Sequence, residues 1–217
     1  MQISELRRTA RNRLLDFAWD EWAQMGVSAA ARRVDRSAQD PEALLLFTFE
    51  VAREDPRLFG EVLDWLALNE RLVSVQRLRN LCRDDADRTL AEAALSWVAH
   101  SKGGSQRRRR PAKSESSPAV QLFRNVKADP RRADAAFRAH GWLMPPTVRS
   151  GKSEVPNLQA PINFAFRLRQ LLGVGARAEA ARFLLTVHAS SVTVQVVTES
   201  AAFAKRNVHE ALAPLGG

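Results

Sequence analysis

The strongest constraint on the fold of this chain is a repeated helix-start signal, in which an aspartate directly precedes a proline. The pair occurs at Asp40-Pro41, Asp55-Pro56 and Asp129-Pro130. An aspartate carboxylate can accept hydrogen bonds from the free N–H groups of a first helical turn, and proline fits that turn because it lacks an N–H. Apolar residues after each pair recur three or four positions apart, as on one face of a helix. The pattern predicts a mainly α protein.

Residues 1–99 are predicted to form a compact, acidic, all-helical domain of about five helices. A first amphipathic helix begins after Ser4 and ends near Gly26. Ser74 is a candidate cap for a helix over residues 75–83, and Asp84 or Asp85 is a candidate cap for a last helix that continues through Trp97. We expect this domain to sense a signal, dimerise or contact a protein partner.

The charge of the chain is divided unevenly between its two halves. Residues 1–99 contain 14 Lys and Arg against 17 Asp and Glu, whereas residues 100–217 contain 19 against 7. A basic half of this kind is typical of a polyanion-binding region, and each phosphate that Arg or Lys neutralises releases condensed counterions. The other interpretation is a solvated basic surface that affects solubility alone.

Residues 100–118 are predicted to be a flexible, disordered basic linker between two helical domains. This stretch has no periodic apolar residues and is rich in Gly, Ser and Pro. It contains four consecutive arginines: Arg107, Arg108, Arg109 and Arg110. They are interpreted either as part of a solvated linker or as an arm that contacts phosphates without selecting a sequence.

Residues 119–217 form the predicted DNA-binding region, and their last part divides into three helical segments. The segments are 176–188, 192–200 and 204–215, with Ala201, Ala202 and Phe203 between the last two. Residues 192–200 also alternate and are rich in β-branched side chains, so a strand is an alternative there. Between Trp142 and Pro161 the prolines predict extended, irregular backbone.

This ending resembles the winged helix-turn-helix domains of bacterial transcription regulators. The resemblance rests on residues 176–215 and is carried by Thr193-Val194, Phe203, Lys205-Arg206-Asn207-Val208 and Ala211-Leu212. Two positions depart from the family pattern: Ala202 replaces a turn glycine and Ala204 replaces a Ser or Thr cap. The sequence stops at Gly216 and Gly217, where the two-stranded wing would begin. The domain is therefore expected to be wingless, shortened or completed by another chain, and we favour a shortened domain.

The resemblance implies that the third helix enters the major groove of DNA with its polar N-terminal residues against base edges and phosphates. In this sequence the implied DNA-binding residues are Thr193, Gln195, Lys205, Arg206, Asn207 and His209, to which the four linker arginines are added. Arginine suits guanine and asparagine suits adenine, so the residue types fit that role.

No catalytic motif emerges from the sequence, and we predict neither an enzyme nor a metal or cofactor. The four histidines are far apart and have no Cys or acidic partner at metal-ligand spacing. The single cysteine, Cys82, lies in an apolar helical stretch and is interpreted as a small packed residue. Most tryptophans are predicted to lie in the core, and Trp142 is the one candidate for base stacking. No apolar run approaches the roughly 20 residues that cross a bilayer, so a cytoplasmic location is expected.

The leading hypothesis is a sequence-specific DNA-binding transcriptional regulator that binds double-stranded DNA as a homodimer. We expect a repressor, and one version of this hypothesis is an autoregulating antitoxin of a toxin–antitoxin or phage-defence operon. The alternative is a helical interaction or scaffold protein with a non-specific basic arm. A third hypothesis, single-stranded RNA binding, lacks the paired aromatic residues of an RNA-recognition sheet.

Overall fold

The structure is a computed structural model that describes residues 3–31, 38–101 and 119–213. Within these ranges it contains ten α-helices and one pair of short strands, which confirms the predicted mainly α class. The elements in chain order are α1 (Ile3–Gln24), α2 (Pro41–Val51), α3 (Pro56–Asn69), α4 (Val75–Leu81), α5 (Asp85–Ser101), β1 (Val120–Gln121), α6 (Ala135–Ala139), β2 (Trp142–Leu143), α7 (Phe164–Leu172), α8 (Ala176–Thr186), α9 (Val194–Ala201) and α10 (Lys205–Leu212).

The predicted caps begin the helices of the N-terminal half. Asp40 Oδ1 accepts the Ala43 N–H at 3.1 Å, and Asp55 Oδ1 accepts the Leu58 N–H at 3.1 Å. Ser74 caps α4 in the same way. Each carboxylate or hydroxyl satisfies an N–H that has no partner inside the helix. Both Asp-Pro predictions in this half are therefore confirmed.

The helix start predicted at Asp129-Pro130 was wrong. Asp129 accepts the Arg131 N–H at 2.9 Å, but the backbone there forms only turns. The helix begins five residues after Pro130, at Ala135, where Asp134 accepts the N–H groups of Ala136 and Phe137. A second aspartate therefore supplies the cap that the sequence pattern assigned to the first.

One hydrophobic core contains most of the buried apolar residues in the described part of the chain. It runs from Ala18 in α1 to Phe166 in α7 and includes residues on both sides of the predicted linker. Phe59 of α3, for example, packs against Phe123 and Phe137 with ring centroids 5.6 Å and 5.7 Å apart. The larger core thus spans the boundary that we predicted at residues 100–118, and helices α8 to α10 have a smaller core of their own.

The proline-rich stretch after Gly141 is mostly without regular structure, but it begins with a strand that the sequence did not predict. Trp142 and Leu143 of β2 pair in parallel with Val120 and Gln121 of β1. Strands of two residues are too short to show the alternation on which a prediction depends. The pairing holds β1 against β2, whose Trp142 belongs to the larger core.

His140 provides a test of how pH acts on this core. Its Nε2 lies 2.9 Å from Ser96 Oγ, and burial lowers the pKa of the imidazole below its ordinary 6.5 despite the nearby Glu92. The unfolded chain therefore binds this proton more tightly, so stability should fall as the pH drops from about 6.5 toward the lowered pKa. Urea unfolding above and below pH 6.5 measures this loss of stability, and the loss should be smaller in His140→Gln than in the wild type. An equal loss of stability at acid pH in both proteins would show that His140 is not its source.

Within the described part of the chain, no helix has both the length and the apolar character that crossing a bilayer demands.

Candidate nucleic-acid interface

Helices α8, α9 and α10 pack into a small three-helix unit. Its buried residues are Ala180, Val197, Ala201 and Val208, and the partly buried residues around them include Phe183, Leu184, Phe203 and Leu212. Residues 194–201 are helical, so the strand alternative for this stretch was wrong. Val197 and Ala201 lie one helical turn apart, so a helix brings both side chains to this core. This packing outweighs the preference of β-branched residues for strands.

The connection between α9 and α10 is a turn of three residues, 202–204. Ala202 has φ +55° and ψ +44°, which is left-handed backbone, and its N–H is bonded to Thr198 O at 3.0 Å. Ala202 is the only non-glycine residue with positive φ among those described. Left-handed backbone favours glycine because a Cβ crowds the following carbonyl. Ala202 therefore adopts a backbone conformation that glycine would adopt at lower cost.

Replacing Ala202 with Gly should raise the free energy of unfolding by about 1 kcal/mol, because glycine does not incur the left-handed penalty. Denaturant unfolding of the whole chain measures the change. Ala10→Gly in the exposed part of α1 is the matched control, and there the same substitution should lower stability. A loss of stability in Ala202→Gly would show that the turn is not held in this conformation.

Helix α10 separates apolar from polar side chains cleanly. Val208 and Ala211 are buried, whereas Lys205, Arg206, Asn207 and His209 are all exposed. Ala204, the residue before the helix, makes no side-chain cap. The predicted base-reading residues therefore lie together on the solvent side of one helix, with its N-terminal N–H groups beside them.

Two predicted site residues on the N-terminal side of α9 are engaged within the protein. The Thr193 hydroxyl accepts the Val196 N–H at 3.3 Å and so caps α9. Gln195 Nε2 donates to Glu199 Oε1 at 2.7 Å across one turn. Both residues are exposed and therefore accessible to a ligand. The other predicted site residues, Arg107, Arg108, Arg109 and Arg110, lie outside the described residues.

The three-helix unit is fastened to the rest of the protein through the C-terminal end of α9. Arg77 Nε donates to Ala201 O at 2.9 Å, and Arg77 Nη2 donates to Ser200 O at 3.3 Å. Asn80 Nδ2, one turn later in α4, donates to Ala202 O at 2.8 Å. These donors satisfy carbonyls that a helix end leaves unpaired. These hydrogen bonds from α4 therefore position the 202–204 turn, and with it α10, relative to the rest of the protein.

Four charged side chains are almost fully buried where α2, α4, α7 and α8 meet. Glu42, Arg77, Arg169 and Glu179 are each at most 3% exposed. Arg169 Nη2 donates to Glu42 Oε2 and to Glu179 Oε1, both at 2.6 Å. Arg77 Nη1 donates to Glu42 Oε2 at 2.9 Å. Every charge has an opposite partner, which is the condition under which charged groups can be buried.

The pKa values of this buried ionic network favour the charged forms. Burial alone would raise the pKa of Glu179, but the charges of Arg169, Arg77 and Arg182 lower it below its ordinary value. Burial alone would lower the pKa of Arg169, but Glu42 and Glu179 raise it. The network therefore joins the three-helix unit to α2, α4 and α7 as a set of ion pairs. Sequence reasoning missed it entirely.

Trp142 does not fit the base-stacking role that the sequence suggested for it. The side chain is 7% exposed, its Nε1 donates to Thr89 Oγ1 at 3.2 Å, and the Arg53 guanidinium lies 4.8 Å from the ring centroid. Both the edge and a face of the indole are thus occupied within the protein. The prediction was wrong because the β1–β2 pairing draws Trp142 into the core.

Cys82 is half-buried rather than fully packed. Its thiol donates to Leu78 O at 3.3 Å, and burial raises the pKa of the thiol above its ordinary value. A raised pKa disfavours the thiolate, which is the nucleophilic form.

Comparisons of this chain with protein-family models, curated proteins and solved structures found no match.

Proposed function

We propose that the protein is a cytoplasmic, sequence-specific DNA-binding transcriptional regulator whose DNA-contacting element is α9, the turn at 202–204 and α10. One observation carries the proposal. Helix α10 buries Val208 and Ala211 against α8 and α9, and it holds Lys205, Arg206, Asn207 and His209 free of the core. A short helix supported in this way can enter the major groove without disturbing its own packing.

The chemistry of the exposed side chains suits that groove. Arg206 can donate two hydrogen bonds to guanine O6 and N7, and Asn207 can pair with adenine N6 and N7. Lys205 and the uncapped first N–H groups of α10 can meet phosphate oxygens, because the positive end of the helix dipole lies there. The same segment therefore offers base-reading and phosphate-binding groups.

A second candidate function, protein interaction, is favoured by a different surface. Ile3, Leu6, Leu14 and Phe17 of α1 are 70%, 52%, 45% and 43% exposed. They recur at helical spacing and form an apolar stripe, which is typical of a surface that another protein covers. This candidate corresponds to the scaffold alternative, in which any nucleic-acid binding is non-specific.

Binding measurements with a randomised duplex library separate the two functions. The regulator hypothesis expects a sequence motif to be enriched over competitor DNA, and an inverted repeat would further support a homodimer. A salt titration on the enriched duplex should show affinity falling as salt rises, because phosphate contacts release counterions. Equal binding to all duplexes would contradict sequence-specific regulation and favour the scaffold alternative.

A further inference from the structure

Glu210 is an acidic residue on the same outward face of α10 as the proposed base-reading side chains. It follows Arg206 by one helical turn, and Arg206 Nε lies 2.9 Å from its Oε1. The two side chains are 87% and 63% exposed, so the solvent screens the pair and little is lost when it opens. Both groups are therefore available to a ligand that meets this face.

A carboxylate here needs a specific partner. Phosphate oxygens repel it, so it opposes binding to the DNA backbone in general. The major groove offers hydrogen-bond donors only from the exocyclic amines of cytosine and adenine. Adenine presents its N7 acceptor beside the amine, and a carboxylate cannot donate to N7. Cytosine N4 has no such neighbouring acceptor on its base, so a carboxylate fits cytosine better.

We propose that Glu210 selects cytosine in the DNA that α10 contacts, with Arg206 selecting guanine close by; this inference rests on the proposed function. Four residues of helix advance about 6 Å, and successive bases are about 3.4 Å apart along one strand. The two bases should therefore lie about two base-pair steps apart. On binding, the contact between Arg206 and Glu210 breaks, so that Arg206 contacts the guanine and Glu210 contacts the cytosine.

Selection from a randomised duplex library tests the proposal with the full-length wild type and Glu210→Gln. The wild-type motif should contain guanine and, about two steps away, a cytosine preferred by about tenfold. In Glu210→Gln the preference at that one position should change to adenine, since glutamine pairs with adenine N6 and N7. The remaining positions should be unchanged.

Glu50→Gln is the matched control, because Glu50 also pairs with an exposed arginine, Arg124, but lies near the C-terminal end of α2, opposite to the end where Asp40 contacts Arg77. It should leave the whole motif intact. An unchanged motif in Glu210→Gln, or tighter binding to all duplexes alike, would overturn the cytosine assignment while DNA recognition stands. The absence of any motif for the wild type would overturn the proposed function as well. Circular dichroism should show that both exposed substitutions keep the helical content.

Discussion

Replacing Arg169 with Ala should lower the free energy of unfolding by about 3–5 kcal/mol. The substitution removes the cation that lies between Glu42 and Glu179 and leaves two carboxylates buried with fewer partners. A buried carboxylate that has lost its cation must either be protonated or draw in water, and both processes destabilise the fold. Urea unfolding monitored by circular dichroism measures the change.

The exposed pair of Arg79 and Glu92 provides the control for this prediction. Arg79 Nη2 donates to Glu92 Oε2 at 3.0 Å, but the two side chains are 48% and 30% exposed. Arg79→Ala should therefore cost no more than about 1 kcal/mol. If Arg169→Ala cost as little as Arg79→Ala, the buried network would not hold the helices together as described.

Changing Arg206 and Asn207 together to Ala should erase most of the preference of the protein for its motif over competitor DNA. Each well-formed bidentate contact contributes about 1–3 kcal/mol of discrimination, so the double variant should lose at least about tenfold of that preference. Both side chains are exposed, so the three-helix unit should remain folded. Competition binding with the selected duplex and a scrambled duplex of the same length measures the ratio.

Arg124→Ala is the matched charge control for the double variant. Arg124 forms an exposed pair with Glu50, with 3.4 Å between Nη2 and Oε1, as Arg206 does with Glu210. Glu50 lies near the C-terminal end of α2, whereas Asp40 at the opposite end of α2 contacts Arg77, so the loss of Arg124 should not change the preference. An equal loss of affinity for both duplexes in the double variant would instead support non-specific binding by a basic arm.

The helices of this fold could be predicted because their determinants are local. The caps at Asp40, Asp55 and Ser74 act within three residues of their partners, and apolar spacing is visible within one helix. The start of α6 was misplaced for the same reason, since Asp129 and Asp134 both offer a local cap. The tertiary hydrogen bond from the Asp134 N–H to Met144 O at 2.8 Å holds the observed cap in place, and no local pattern reports it.

The polar face of α10 could also be predicted, whereas its attachment could not. Lys205, Arg206, Asn207 and His209 fall on one side of a helix by spacing alone. The contacts of Arg77 with Ser200 and Ala201 join residues more than 120 positions apart, which no local pattern reports.

A sequence signal for the buried ionic network did exist. Arg169 follows Ile162 and Phe166 at intervals of seven and three residues, so it falls on the apolar face of its helix. Glu42 likewise shares a face with Leu45, Leu46 and Phe49. A charged residue on an apolar face indicates a buried ion pair when an opposite charge on another helix has the same placement. Pairing these positions still requires the tertiary structure.

The burial of Glu42, Arg169 and Glu179 has a practical consequence for handling this protein. Mobile ions screen exposed charges over a Debye length of about 8 Å at physiological ionic strength, but they reach buried pairs poorly. Concentrated sodium chloride should therefore screen the exposed cations and elute the protein from a heparin column. The buried ion pairs should remain intact and keep the helices packed. The folded chain can be stripped of adhering polyanions without being denatured.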